Sequence, residues 1–130
     1  MERAIRALHS HPQIDSVATP RESDGETVVD IVVRVNLPSR WAAEGRTPKG
    51  VRAAEPITVV FPPAYPRRAP TFYARSDFDR SLAHVQPGPS SGPVQPCISE
   101  ANPTELFHQV GLSLLIDHLV EWLEKAALGT

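Results

Sequence analysis

The sequence predicts an α+β fold: an N-terminal helix, an antiparallel meander of three or four strands, a proline-rich segment and a long C-terminal helix. Three observations carry this expectation. Val28 to Leu37 alternates apolar β-branched and polar residues, ten of the 14 prolines fall between Pro56 and Pro103, and an apolar stripe at helical spacing follows Asn102. At 130 residues, 41% hydrophobic and 22% charged, residues 1–130 read as a single domain able to bury one core without metal or disulfide support.

Met1 to His11 reads as a short helix with Ile5 and Leu8 on its inner side and Arg3 and Arg6 outside, stopped by Pro12. Arg21 to Glu26 reads as a polar turn around Asp24-Gly25. The strand that follows, expected to be the first of the sheet, turns Val29, Ile31, Val33 and Val35 to one face and Asp30, Arg34 and Asn36 to the other. Pro38 to Gly50 is a connection, in which Trp41 is expected to anchor against the core. A second strand runs from Val51 to Phe61, with Pro56 marking an edge or a bulge, since proline donates no ladder bond. Thr71 to Arg75 is a third, and the connections are too short for helical crossovers, so a meander is expected.

Asp77 to Glu100 has little periodic pattern, and a loop of that length in a compact domain is usually functional or disordered. It holds Cys97, the only cysteine. That thiol has no intramolecular disulfide partner and no converging histidines for a zinc site, leaving a working thiol or a small buried hydrophobe as the readings. Asn102-Pro103-Thr104-Glu105 is a helix start, with Asn102 as cap, Pro103 in the first turn and Glu105 placed to reach back. His108, Leu112, Leu115, Leu119, Trp122 and Ala126 then form the inner stripe. Gly111 costs the helix about 1 kcal/mol relative to alanine and marks either close packing or a weak point.

Composition excludes several function classes. With 13 basic and 15 acidic side chains, net charge -2 and 6% aromatics, the chain carries neither a basic footprint nor a stacking platform for nucleic acid. No apolar run approaches the roughly 20 residues that span a bilayer, and the first residues lack a secretory pattern, so a cytoplasmic location is expected. His9, His11 and His118 are dispersed, and no metal site is expected.

Phe61-Pro62-Pro63-Ala64-Tyr65-Pro66-Arg67-Arg68-Ala69-Pro70, His84-Val85-Gln86 and the downstream Cys97, in this order and spacing, resemble the ubiquitin-conjugating enzyme family, particularly its divergent bacterial branch. Trp41, Gly45, Gly50-Val51-Arg52, Glu55, Asp77-Phe78 and Trp122 to Ala127 also resemble conjugating domains fused ahead of an activating-type adenylating domain in bacterial antiviral operons. The resemblance implies a conjugating-enzyme-like fold and acyl transfer through a thioester on Cys97. It further implies an activating enzyme, possibly fused, a ubiquitin-like protein and a target lysine amine as partners. No cofactor is expected, because ATP would be consumed by the activating enzyme.

The resemblance also suggests roles for other residues. The family's His-Pro-Asn becomes His84-Val85-Gln86 here, so His84 would organise the turn and the Gln86 amide would steady the oxyanion or its loop. Asn102 is a second amide available for that work, with helix capping as its simpler role. His108 is either a satisfied core histidine or a base for the incoming amine, and Glu100 either a solvated charge or an orienting carboxylate. Pro62 and Pro63 lie in a loop that the family often uses to engage ligases. Two competing readings are a non-catalytic module that binds a ubiquitin-like protein or scaffolds an assembly, and a cysteine hydrolase, for which no orienting third residue is evident.

Overall fold

The computed structural model describes residues 1–48, 50–78, 94–96, 98 and 102–128. Helix α1 (Glu2–Ser10) buries Ala4 and Leu8 and leaves its arginines in solvent. Its chain continues into β1 (Ile14–Val17) and β2 (Arg21–Ser23), which pair antiparallel with the two halves of β3 (Glu26–Arg34). The β2–β3 turn is the two-residue loop Asp24-Gly25, at φ 52° and 81°. Both positions are left-handed, which matches a hairpin turn to the right-handed strand twist and explains the Asp-Gly pair.

Strand β4 (Ala54–Phe61) pairs with the whole of β3, and β5 (Thr71–Tyr73) with the far half of β4, giving the antiparallel order β1-β3-β4-β5 with β2 beside β3. Among the described residues the sheet therefore has five strands, not three or four, and Val28 to Leu37 does not begin it. The segment read as a turn supplies β2, and β1 precedes it. Both escape pattern reading for physical reasons: β2 is exposed throughout, and β1 buries only Ile14. Pro56 faces Val32, while β5 reaches only Thr58 to Val60, so Pro56 lies where β4 is unflanked on its other side among the described strands.

Val29, Ile31, Val33 and Val35 from the β3 side and Ile57, Val59 and Phe61 from β4 are all buried, as alternation predicts. Helix α3 (Pro103–Ala127) brings Leu115, Ile116, Leu119 and Leu123 into the same core. It is kinked at Gly111, whose φ of 82° and ψ of 175° break the helical path. A β-carbon there would meet nothing within 4 Å, so the glycine serves backbone conformation, not close packing. The kink also resets the helical phase. Phe107, not His108, takes the inward position ahead of it, and His108 is exposed, contrary to the stripe expected for an uninterrupted helix.

Trp41 departs from expectation as well. It lies half-buried on the one-turn helix α2 (Ser39–Ala42), which buries none of its residues, and its ring stacks beneath the Arg40 guanidinium at 5.6 Å. A short helix in a connection has no second turn with which to drive a bulky ring inward.

Candidate active site

The expected catalytic residues Cys97, Gln86 and His84 lie outside the described residues, as does Glu100. The described chain on either side of Cys97 is held firmly. Val94 is buried and bridged to Ala74 just beyond β5, its carbonyl accepting from the Ala74 N–H at 2.6 Å and its own N–H donating back at 3.3 Å. Pro96 is buried, and Ile98 packs partly buried against the core.

Asn102 and His108 are brought to one place, the start of α3. The Asn102 side-chain oxygen accepts from the Thr104 and Glu105 N–H groups at 2.9 and 3.2 Å, satisfying two donors of the first turn. That occupies its oxygen, while its amide NH2 makes no hydrogen bond among the described residues. The Glu105 carboxylate makes no reciprocal bond to Asn102, so only half of the expected box forms. His108 donates from Nε2 to the Pro66 carbonyl at 3.2 Å, because a carbonyl only accepts. In the neutral ring this assigns the free lone pair to Nδ1.

The same helix start is tied to the loop between β4 and β5. Ala69 donates its N–H to the Thr104 hydroxyl at 3.2 Å, and the Tyr65 ring packs between Phe61, edge-on at 4.9 Å, and Phe107 at 5.5 Å. Burial pushes the Tyr65 hydroxyl pKa upward. Tyr65 thus packs as a rigid turn against the core, and this loop, α1 and the Gly111 kink enclose a groove of about 600 Å³ lined by Ala4, Ala7, Pro62, Pro63, Phe107 and Leu112, among others.

Two polar constellations are not legible as networks in the sequence, although Gly50, Arg52, Glu55 and Asp77 of the second carry part of the family resemblance. His11 is buried behind α1. Its Nδ1 accepts from the Gln13 N–H at 3.1 Å and its Nε2 donates to Asp117 on α3 at 2.7 Å, so the ring is a bracket between the two helices. Glu55 on β4 is fully buried and accepts from the Arg52 N–H at 2.9 Å and from Arg75 Nε at 3.0 Å. Arg75 spends its remaining nitrogens on Asp77 at 2.7 Å and the Gly50 carbonyl at 2.6 Å. Burial raises the Glu55 pKa, against the opposing pull of the Arg52 N–H, the Arg75 hydrogen bond and the charges of Arg75 and Arg52. The His11–Asp117, Glu55–Arg75 and Arg75–Gly50 partners lie too far apart in the chain for local spacing to pair them.

Among the described residues there is no cluster of histidine, cysteine, aspartate and glutamate able to hold a metal ion, and no helix long and apolar enough to cross a membrane. An N-terminal helix, an antiparallel sheet and a covering C-terminal helix make an α+β architecture consistent with the ubiquitin-conjugating (E2) class. The chain belongs to prokaryotic E2 family A, whose model matches residues 1–130. No curated protein and no solved structure matches it.

Proposed function

We propose that residues 1–130 form one conjugating domain that carries a ubiquitin-like protein as a thioester on Cys97 and passes it to a lysine amine. The observation that supports this most is the family match over the entire chain, which contains a single cysteine just ahead of the covering helix. In loading, Cys97 Sγ attacks the carbonyl carbon of the activating enzyme's thioester. A new carbon–sulfur bond forms, the old one breaks, and the activating enzyme leaves as a thiolate. In transfer, a neutral amine attacks the Cys97 thioester, an amide bond forms, and the Cys97 thiolate departs while the amine loses a proton.

A thiol of ordinary pKa, about 8.5, is a few per cent thiolate at neutral pH, which suffices against an already activated acyl group. No lysine or arginine occurs between Arg80 and Lys125, so strong electrostatic activation of the thiol has no local source in the sequence. Gln86 would supply the oxyanion donor and His84 the turn around it, with the NH2 of Asn102 as a second amide. His108, exposed with Nδ1 open, would accept the amine's proton. The apolar groove with Pro62 and Pro63 on its wall would receive the activating enzyme or a ligase.

The test is intact mass after incubation with a cognate activating enzyme, its ubiquitin-like protein and ATP. The expected result is an adduct that a thiol reductant removes and that Cys97→Ala does not form. An uncharged chain beside a demonstrably charged activating enzyme would overturn the enzymatic reading in favour of a binding module.

A further inference from the structure

The hairpin between α2 and β4 carries a feature that thioester chemistry does not use. Thr47 donates its N–H to the Val51 carbonyl at 2.9 Å and Ala53 to the Gly45 carbonyl at 2.8 Å, bracketing an isolated antiparallel bridge between Arg46 and Arg52. Residues bracketed in this way form the non-hydrogen-bonded kind of cross-strand pair, with Cα atoms only about 4.5 Å apart and side chains on the same face. Like charges directly opposite one another destabilise a strand pair. Both arginines are exposed, and neither guanidinium makes a hydrogen bond or close ion pair among the described residues, although the Arg52 charge also acts on buried Glu55.

The arrangement is held from behind. Fully buried Glu55 accepts the Arg52 N–H, and Arg75, itself fixed by Glu55, binds the Gly50 carbonyl of the same hairpin. Arg75 has no nitrogen to spare, so it positions the hairpin, and among the described residues the Arg46 and Arg52 guanidiniums are left with their hydrogen-bond donors unused. Beside them lies a polar cleft of about 310 Å³, walled by Trp41 and Pro48, with Glu44 and Asp77 also on its lining.

We propose that Arg46 and Arg52 form a two-arginine clamp that receives the carboxylates of an acidic segment of a partner protein. Planar guanidinium forks match carboxylates in a bidentate manner, and Trp41 offers a flat wall beside them. The negative charges of Glu44 and Asp77 disfavour a continuous polyanion such as nucleic acid, whereas separate carboxylates can engage the arginines and avoid the acidic lining. Binding one relieves the repulsion that the hairpin holds in the free protein.

The test is a titration by NMR, observing the Nε–Hε groups of Arg46 and Arg52 and the Trp41 indole, with tetraglutamate, tetraglutamine and inorganic phosphate as probes. Tetraglutamate is expected to give saturable, salt-sensitive shifts at all three groups, and the double variant Arg46→Gln/Arg52→Gln to bind it at least tenfold more weakly. Tetraglutamine is expected to give no saturable shift. Absent saturation, equal binding by the double variant or by tetraglutamine, or tighter binding of phosphate than of tetraglutamate would each overturn the clamp.

Discussion

The two ends of β4 are held by different physics. Toward Phe61 the strand presents Ile57, Val59 and Phe61 to the apolar side chains of α3, where each contact is small and the neighbours share the load. Toward Ala54 it presents Glu55, a buried carboxylate whose two bonds come from Arg52 and Arg75. Loss of a methyl group at the first end leaves a cavity that neighbours can partly fill. Loss of a partner at the second leaves a charge with no water to turn to, so that network succeeds or fails as a unit.

The sharpest break of this contrast is Arg75→Ala, expected to cost about 3–5 kcal/mol at neutral pH, the usual result of stranding a buried charge. The loss should shrink in acid. Because burial holds the Glu55 pKa above its ordinary value of 4.5, the folded protein binds this proton more tightly than the unfolded chain. Its stabilising contribution is therefore fullest below pH 4.5 and falls as pH rises through the folded value. Removing the Arg75 charge raises that value further. Denaturant melts of wild type and variant at pH 4 and pH 7 read the difference; equal losses at both would show that the carboxylate is not what suffers.

At the apolar end, Leu119→Ala is expected to cost about 2–5 kcal/mol, the range for truncating a buried leucine. Leu119 is 0% exposed and its surroundings are apolar, so the same melts should show no matching pH dependence. A loss that tracked pH would dissolve the contrast between the two ends. The smallest effect sharpens it. The Thr47 hydroxyl is buried with no hydrogen-bond partner among the described residues, beside the polar network yet outside it. Thr47→Val should leave the hairpin intact and raise stability by about 1 kcal/mol, since an unpaired buried hydroxyl carries a desolvation cost. A loss of stability there would reveal a partner for that oxygen.

What was legible in the sequence divides along the same line. Val29, Ile31, Val33 and Val35 announced their strand because alternation is a local signal, and Asn102 announced its cap through the Asn-Pro-Thr-Glu start. The pairing of Glu55 with Arg75, and of His11 with Asp117, could not be read in this way, because only the folded topology brings those side chains together. His108 departs from the stripe for a third reason: helical spacing counts residues along one continuous helix, and the Gly111 kink ends that count. Of the candidate site, Asn102 and His108 were placed by the structure at the same helix start, beside the loop of Tyr65 and Pro66. The roles proposed for Cys97, Gln86 and His84 rest on sequence and family alone.

The most direct measurement of the central claim is the fate of a Cys97→Ser variant charged with the ubiquitin-like protein. Serine in place of the accepting sulfur should give an oxygen ester, seen by intact mass as an adduct that survives thiol reductant and is cleaved by mild hydroxide, whereas the wild-type adduct is lost to reductant. An adduct on wild-type protein that resists both reagents, or one that forms equally on Cys97→Ala, would contradict a carrier thioester at Cys97.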